Sequence, residues 1–154
     1  MQEIIQDFYN SFHKLDAEAM AAHYHPDIVF EDPAFGVLNG EHAANMWRML
    51  CDTQKGKDFK VEVSDIRQDG DRWTAHWEAH YDFSKTGRRV HNKIDAVFQF
   101  KDGKIIDHRD HFSLHKWARQ ALGVQGLVLG GTGFFKKKLN AQTNGLLAKY
   151  EKNL

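Results

Sequence analysis

Four stretches in the middle of the chain, 59–67, 72–84, 89–101 and 104–112, are strand-like, and Asp69-Gly70, Thr86-Gly87 and Asp102-Gly103 separate them. Pairs of this kind supply the left-handed backbone of a tight hairpin. The pattern predicts a run of antiparallel strands and leaves little room for another architecture. Alternation sorts the faces, because successive side chains on a strand point to opposite sides. Trp73, Ala75, Trp77, Ala79, Tyr81 and Phe83 share one side, and Thr74, His76, Glu78, His80 and Asp82 share the other. Val90, Asn92, Ile94, Ala96, Phe98 and Phe100 form the apolar side of the next strand, and His108, Asp110 and Phe112 share a face of the last.

Helical spacing dominates elsewhere. Ile4, Ile5, Phe8, Phe12 and Leu15 predict an amphipathic helix over 3–14. Asp16 is an N-cap for a second helix over 17–25, which Pro26 is expected to stop. Ile28-Val29-Phe30-Glu31 reads as a short strand broken by Pro33 and Gly36, and Asn39-Gly40 opens a third helix over 41–52. Ser113 caps a helix over 114–122 that ends at Gly123. The fold class expected is α+β, a curved antiparallel sheet wrapped around the N-terminal helices. Residues 1–122 form the domain, and 123–154 extend it with a glycine-rich arm and an amphipathic helix over roughly 134–151.

Charge and cysteine usage exclude several classes. The 21 Lys+Arg balance 21 Asp+Glu, so no global footprint for nucleic acid is visible. Lys136-Lys137-Lys138 reads as a solvated face, with contact to an anionic membrane or a partner as the sharper alternative. No apolar stretch approaches the ~18 residues of a membrane span. The single Cys51 forbids an intrachain disulfide, and no secretory signal is seen, so a cytoplasmic location is expected. Cys51 ends a helix rather than starting one, which makes it a poor nucleophile. Gly130-Gly131-Thr132-Gly133 lacks the pattern of a phosphate loop. Ten histidines invite a metal reading, but no HExxH, paired cysteine or facial-triad spacing is present, so no metal is expected.

Three ionisable residues remain as catalytic candidates. Asp32 has the parity of Phe30 and points where Phe30 points. A carboxylate in an apolar pocket has its charged form disfavoured, which raises its pKa toward that of a useful acid or base. The structural alternative is that Asp32-Pro33 merely starts a turn. His108 and Asp110 lie side by side on one strand face, so the carboxylate can hold the imidazole. The structural alternative there is a buried polar pair that touches no substrate.

His23-Tyr24-His25-Pro26-Asp27-Ile28-Val29-Phe30-Glu31-Asp32-Pro33, followed by Gly40 and a helix, resembles the nuclear transport factor 2-like superfamily, as does Phe98-Gln99-Phe100-Lys101-Asp102-Gly103-Lys104-Ile105. The resemblance spans about residues 3–122. It implies a cone with an interior pocket, a frequent dimer, and relatives among ketosteroid isomerases, limonene-1,2-epoxide hydrolases and SnoaL-like polyketide cyclases. The isomerase base matches Asp32. The isomerase tyrosine falls on Phe8, with Tyr9 on a different face, and the second acid falls near Asp95 or Ala96. The terminal aspartate of the epoxide hydrolases matches Asp110, whereas their Arg-x-Asp pair falls on Trp77 and Ala79. SnoaL-like cyclases use a polar acid–base pair in the same pocket, a role that His108 with Asp110 can fill.

The expectation is a small pocket enzyme doing cofactor-free acid–base chemistry on an apolar cyclic or carbonyl-bearing molecule. Asp32 is the base, His108 and Asp110 a second pair, and Phe30, Phe35, Trp47, Trp77, Tyr81, Asn92, Phe98 and Phe112 the lining. A non-catalytic binding module with the same pocket is the alternative. A structural role, with a homodimer through the outer sheet face, is a third reading.

Overall fold

A computed structural model describes all 154 residues. The elements in chain order are α1 (Gln2–His13), α2 (Ala17–Ala22), β1 (Tyr24–Asp32), β2 (Gly36–Asn39), α3 (Glu41–Gln54), β3 (Lys60–Asp69), β4 (Arg72–Asp82), β5 (Arg89–Lys101), β6 (Lys104–His111), α4 (Leu114–Leu122), α5 (Val124–Leu129) and α6 (Gly133–Lys152). One six-stranded sheet runs in the order β2-β1-β6-β5-β4-β3. All neighbours are antiparallel except β1 and β6, which run parallel. Register shifts between Ser64 and Arg67 and between Gln99 and Phe100 mark bulges, which bend and twist a strand. The chain is therefore α+β, with a curved sheet closing on its helices.

The expected faces are the observed ones. Ala75, Trp77 and Ala79 of β4 and Val90, Ile94, Ala96 and Phe98 of β5 are buried. All of them but Val90 pack on Ile5, Phe8, Tyr9 and Phe12 of α1 and on Ala43, Met46 and Trp47 of α3 in one core cluster. Asp102 and Gly103 both have positive φ, 54° and 73°, as a two-residue hairpin turn requires.

The second helix is shorter than its periodicity predicts. It ends at Ala22, because Tyr24 already pairs with Ile105 and β1 runs straight through Pro26. Proline is tolerated there because the β1–β6 register is irregular between Tyr24 and Val29, where an amide donor is not needed. The short strand over 28–31 is in fact nine residues long and makes a hairpin with β2, Phe30 opposite Leu38. Four-residue β2 leaves too little pattern to be read in advance. The glycine-rich arm contains helix α5, also unforeseen.

The C-terminal helices close over one end of the cone. Trp117, Ala118 and Ala121 of α4 and Leu139 of α6 make a second, smaller core with Val90. Leu147 of α6 enters the main core instead. Partly buried Ala34, Tyr81 and Phe112 pack against both clusters and mark the seam between cone and cap.

Candidate functional site

Asp32 and Asp110 reach the seam from adjacent strands. Phe30 lies opposite His108 and Glu31 opposite Arg109 in the parallel β1–β6 pairing. The next step of that register brings Asp32 level with Asp110, and both share the inward parity of Phe30 and His108. β1 ends at Asp32 because Pro33 follows, and the freed carboxylate caps the turn. Its Oδ1 accepts from the amides of Ala34 (2.9 Å) and Phe35 (2.7 Å). Both sequence readings of Asp32 hold together: it starts a turn and it faces inward.

These two amides favour the charged carboxylate. Burial works against them and is the larger effect, and the charge of Asp110 adds to it. The outcome is a carboxyl pushed up to about 7 from an ordinary 3.8. At neutral pH it is divided between acid and base forms, the condition under which one group both takes and gives a proton. Asp32 is itself only partly covered.

His108 is fully buried and Asp110 nearly so. The imidazole is ringed by Phe8, Phe30, Trp47 and Phe98. Both of its nitrogens are engaged. Trp47 Nε1, a donor only, gives its proton to the Tyr24 hydroxyl (2.8 Å). The hydroxyl proton of Tyr24 is then free to go to Nδ1 of His108 (2.8 Å). That leaves the ring proton on Nε2, which donates to Oδ1 of Asp110 (2.9 Å), with the Tyr9 oxygen a longer contact at 3.4 Å. Trp77 Nε1 donates to the same Asp110 oxygen at 3.3 Å. The chain Trp47–Tyr24–His108–Asp110 therefore fixes the tautomer and aims one carboxylate. Burial and the charge of Asp110 hold the Tyr9 hydroxyl well above its usual range, and burial does the same for Tyr24, so both stay neutral.

The other expected residues divide by depth. Phe30, Trp47, Trp77 and Phe98 surround His108 and Asp110 in the core. Phe35 is buried beside the turn, and Tyr81, Asn92 and Phe112 are partly covered. Tyr81 accepts from Trp117 Nε1 (2.8 Å), and burial with the nearby charge of Asp32 pushes it up to about 12. Phe8 is core, as its matched position implies, but Tyr9 does not sit on a different face: it is buried with its hydroxyl at the site. The signal for it was the i, i+4 spacing from Ile5, which places it beside the core stripe. Tyr24 falls within the helix expected over 17–25, and nothing in its local pattern points to His108. Ala96 faces inward opposite Asp110, and Asp95 is exposed.

Two surface hollows, of about 250 Å³ and about 210 Å³, lie elsewhere. One is lined by Leu15, Arg48, Cys51 and Tyr150, the other by Tyr24, Pro26, Gly40 and Lys104. Burial raises the Cys51 thiol to about 12, consistent with an inert side chain. Glu78, His80 and His91 on the outer sheet face hold potential metal-ligand atoms within 4.8 Å of one another. Glu78 already bonds His91 (2.6 Å) and His76 (2.8 Å), and His80 stacks on the His91 ring.

The SnoaL-like domain family matches residues 5–108. The chain belongs to that family. No curated protein matches it. Among solved structures it is similar to an LEH-like epoxide hydrolase of M. tuberculosis, with 24% identity, TM-score 0.63, and coverage of 82% of this chain and 90% of that one. It is similar to an NTF2-like protein of unknown function from Burkholderia pseudomallei, with 18% identity, TM-score 0.64, and coverage of 78% and 95%. A putative polyketide cyclase of Xanthomonas campestris pv. campestris gives 20% identity, TM-score 0.60, and coverage of 77% and 93%. At these identities the likeness is one of fold, the NTF2-like cone whose members include cyclases, isomerases and epoxide hydrolases.

Proposed function

We propose that this SnoaL-like protein is a cofactor-free acid–base catalyst of isomerase, cyclase or hydrolase type, acting on an apolar cyclic or carbonyl-bearing small molecule at the seam between cone and cap. The observation that carries the reading is the pair of inward carboxyls, Asp32 raised to about 7 and Asp110 beside it. A carboxyl raised by burial, with a second carboxyl beside it, supplies a group that exchanges its proton near neutral pH. Asp32 takes a proton from substrate or water and returns it later. Asp110, with one oxygen held by His108 and Trp77, presents the other to the same molecule. His108 acts through Asp110, because its full burial keeps it from touching a ligand. Tyr81, Asn92 and Phe112, partly covered, and buried Phe35 line the ligand.

The test is a screen of apolar ketones, lactones and epoxides followed by Asp32→Asn and Asp110→Asn. Each variant is expected to lose roughly 10²–10⁴-fold in kcat, the usual worth of a positioned acid or base. Turnover that survives in both variants removes the assignment. The density of the interior around His108 favours a second reading, a non-catalytic holder of the same ligand. Thermal stabilisation by a ligand that is never turned over selects it. The proposal includes a homodimer through the outer face of the sheet, and a monomer by light scattering at micromolar concentration would refute that part.

A further inference from the structure

Helix α5 is inside out. A water-facing helix ordinarily buries its large apolar side chains. α5 buries Gly126 and exposes Val124 (77%), Leu127 (52%) and Val128 (69%). The glycine is there because α4 is so close: a Cβ on Gly126 would lie 1.9 Å from the carbonyl oxygen of Ala118. A Cβ on Gly130 would likewise lie 2.7 Å from that of Ala118. His115 Nε2 pins the helix further through the carbonyl of Leu127 (2.9 Å). The apolar side is thus held outward by construction. Of the nine large apolar side chains left exposed, Val124, Leu127, Val128, Leu129 and Phe134 fall within residues 124–134.

The charge around this patch is one-sided. Residues 120–135 contain no charged side chain. Residues 111–150 contain Lys116, Arg119, Lys136, Lys137, Lys138 and Lys149 and no Asp or Glu. The rest of the chain therefore carries 15 basic residues against all 21 acidic ones, so zero net charge hides a basic cap on an acidic cone. Lys137 and Lys138 follow exposed Phe134 at i+3 and i+4, which places lysines on the same helix face as the ring.

An apolar ridge rimmed by lysines fits one kind of partner best. We propose that the α5–α6 cap docks on an anionic lipid surface, with Val124, Leu127, Val128 and Phe134 entering the acyl boundary and Lys136–Lys138 at the headgroups. No helix is long and apolar enough to cross a membrane, so the contact is with the surface. The inference stands on α5 and the charge distribution and does not need the catalytic reading.

The full chain is floated with vesicles of phosphatidylcholine alone and of equimolar phosphatidylcholine and phosphatidylglycerol. It is expected to rise with the mixed vesicles only and to be released by high salt. Lys136→Gln/Lys137→Gln/Lys138→Gln should weaken binding by about fivefold per lysine. Val124→Ser/Val128→Ser should weaken it by about tenfold, scaling with the apolar area withdrawn from the lipid. Both variants alter exposed side chains, and an unchanged circular dichroism spectrum establishes that they fold. Absence of flotation with either vesicle, or equal flotation by the variants, overturns the proposal. So does a dimer that Val124→Ser/Val128→Ser dissociates while vesicles stay unbound, since the patch then belongs to a second copy.

Discussion

Asp32 sits under opposed influences, and their sum has a consequence for stability as well as chemistry. The carboxyl is raised in the folded chain to about 7 from 3.8, so the folded state holds its proton more tightly than the unfolded state does. Its contribution to stability is therefore full below pH 3.8 and is lost as pH rises toward about 7. The slope is at most about 1.4 kcal/mol per pH unit. Asp32→Asn keeps an oxygen that accepts from the Ala34 and Phe35 amides and cannot ionise. That variant is expected to resist urea better than the parent at pH 8 and to show a flatter stability profile between pH 4 and 7. A parallel loss of stability with pH in both proteins would assign the dependence to other groups. At this scale the candidate site was half legible. Parity alone places Asp32, His108 and Asp110 on one inward face. Tyr9 and Tyr24 were not legible, because they meet His108 across 99 and 84 residues of chain, and no local spacing encodes such a contact.

Among the elements, strands were readable where alternation persisted. β3 to β6 each run eight residues or more, and their expected limits differ from the observed ones by two residues or fewer. β2 and the true end of α2 were not readable, since pairing with β1 and β6 decides them rather than local preference. Helix α5 shows the same tension in its glycines. Glycine to alanine within a helix ordinarily stabilises by roughly 0.5–1 kcal/mol. Gly145 in α6 has nothing within 4 Å of a built Cβ, so Gly145→Ala should raise the melting temperature. Gly126→Ala drives a methyl into the Ala118 backbone and should lower it by prising α5 from α4. The sign difference between two identical substitutions, read by calorimetry, tests the packing of the cap. Equal shifts would mean that α5 is not held against α4.

The whole molecule joins a family cone to a cap that lies beyond the family match. The family match covers residues 5–108, so Asp110, the seam residue Phe112 and helices α4 to α6 lie beyond it. The cap acts on the site at a distance. Asn140 donates to the carbonyls of Pro33 (2.9 Å) and Ala34 (3.1 Å), Thr143 to Ala34 (2.8 Å) and Asn144 to Phe35 (2.8 Å). These are the carbonyls of the turn whose amides bind Asp32, so α6 clamps the turn shut from the other side. Burial is the largest influence on Asp32, and the clamp is part of what keeps water away from it. Asn140→Ala/Asn144→Ala loosens the clamp without touching Asp32. Opening the turn costs the carboxylate some amide contact, which raises its pKa, and readmits water, which lowers it. Because burial outweighs the amides, the net shift of the Asp32 carboxyl resonance in an NMR titration should be downward, from about 7 toward 3.8. An unmoved midpoint would mean that Asp32 holds its own turn and that the cap serves the surface alone.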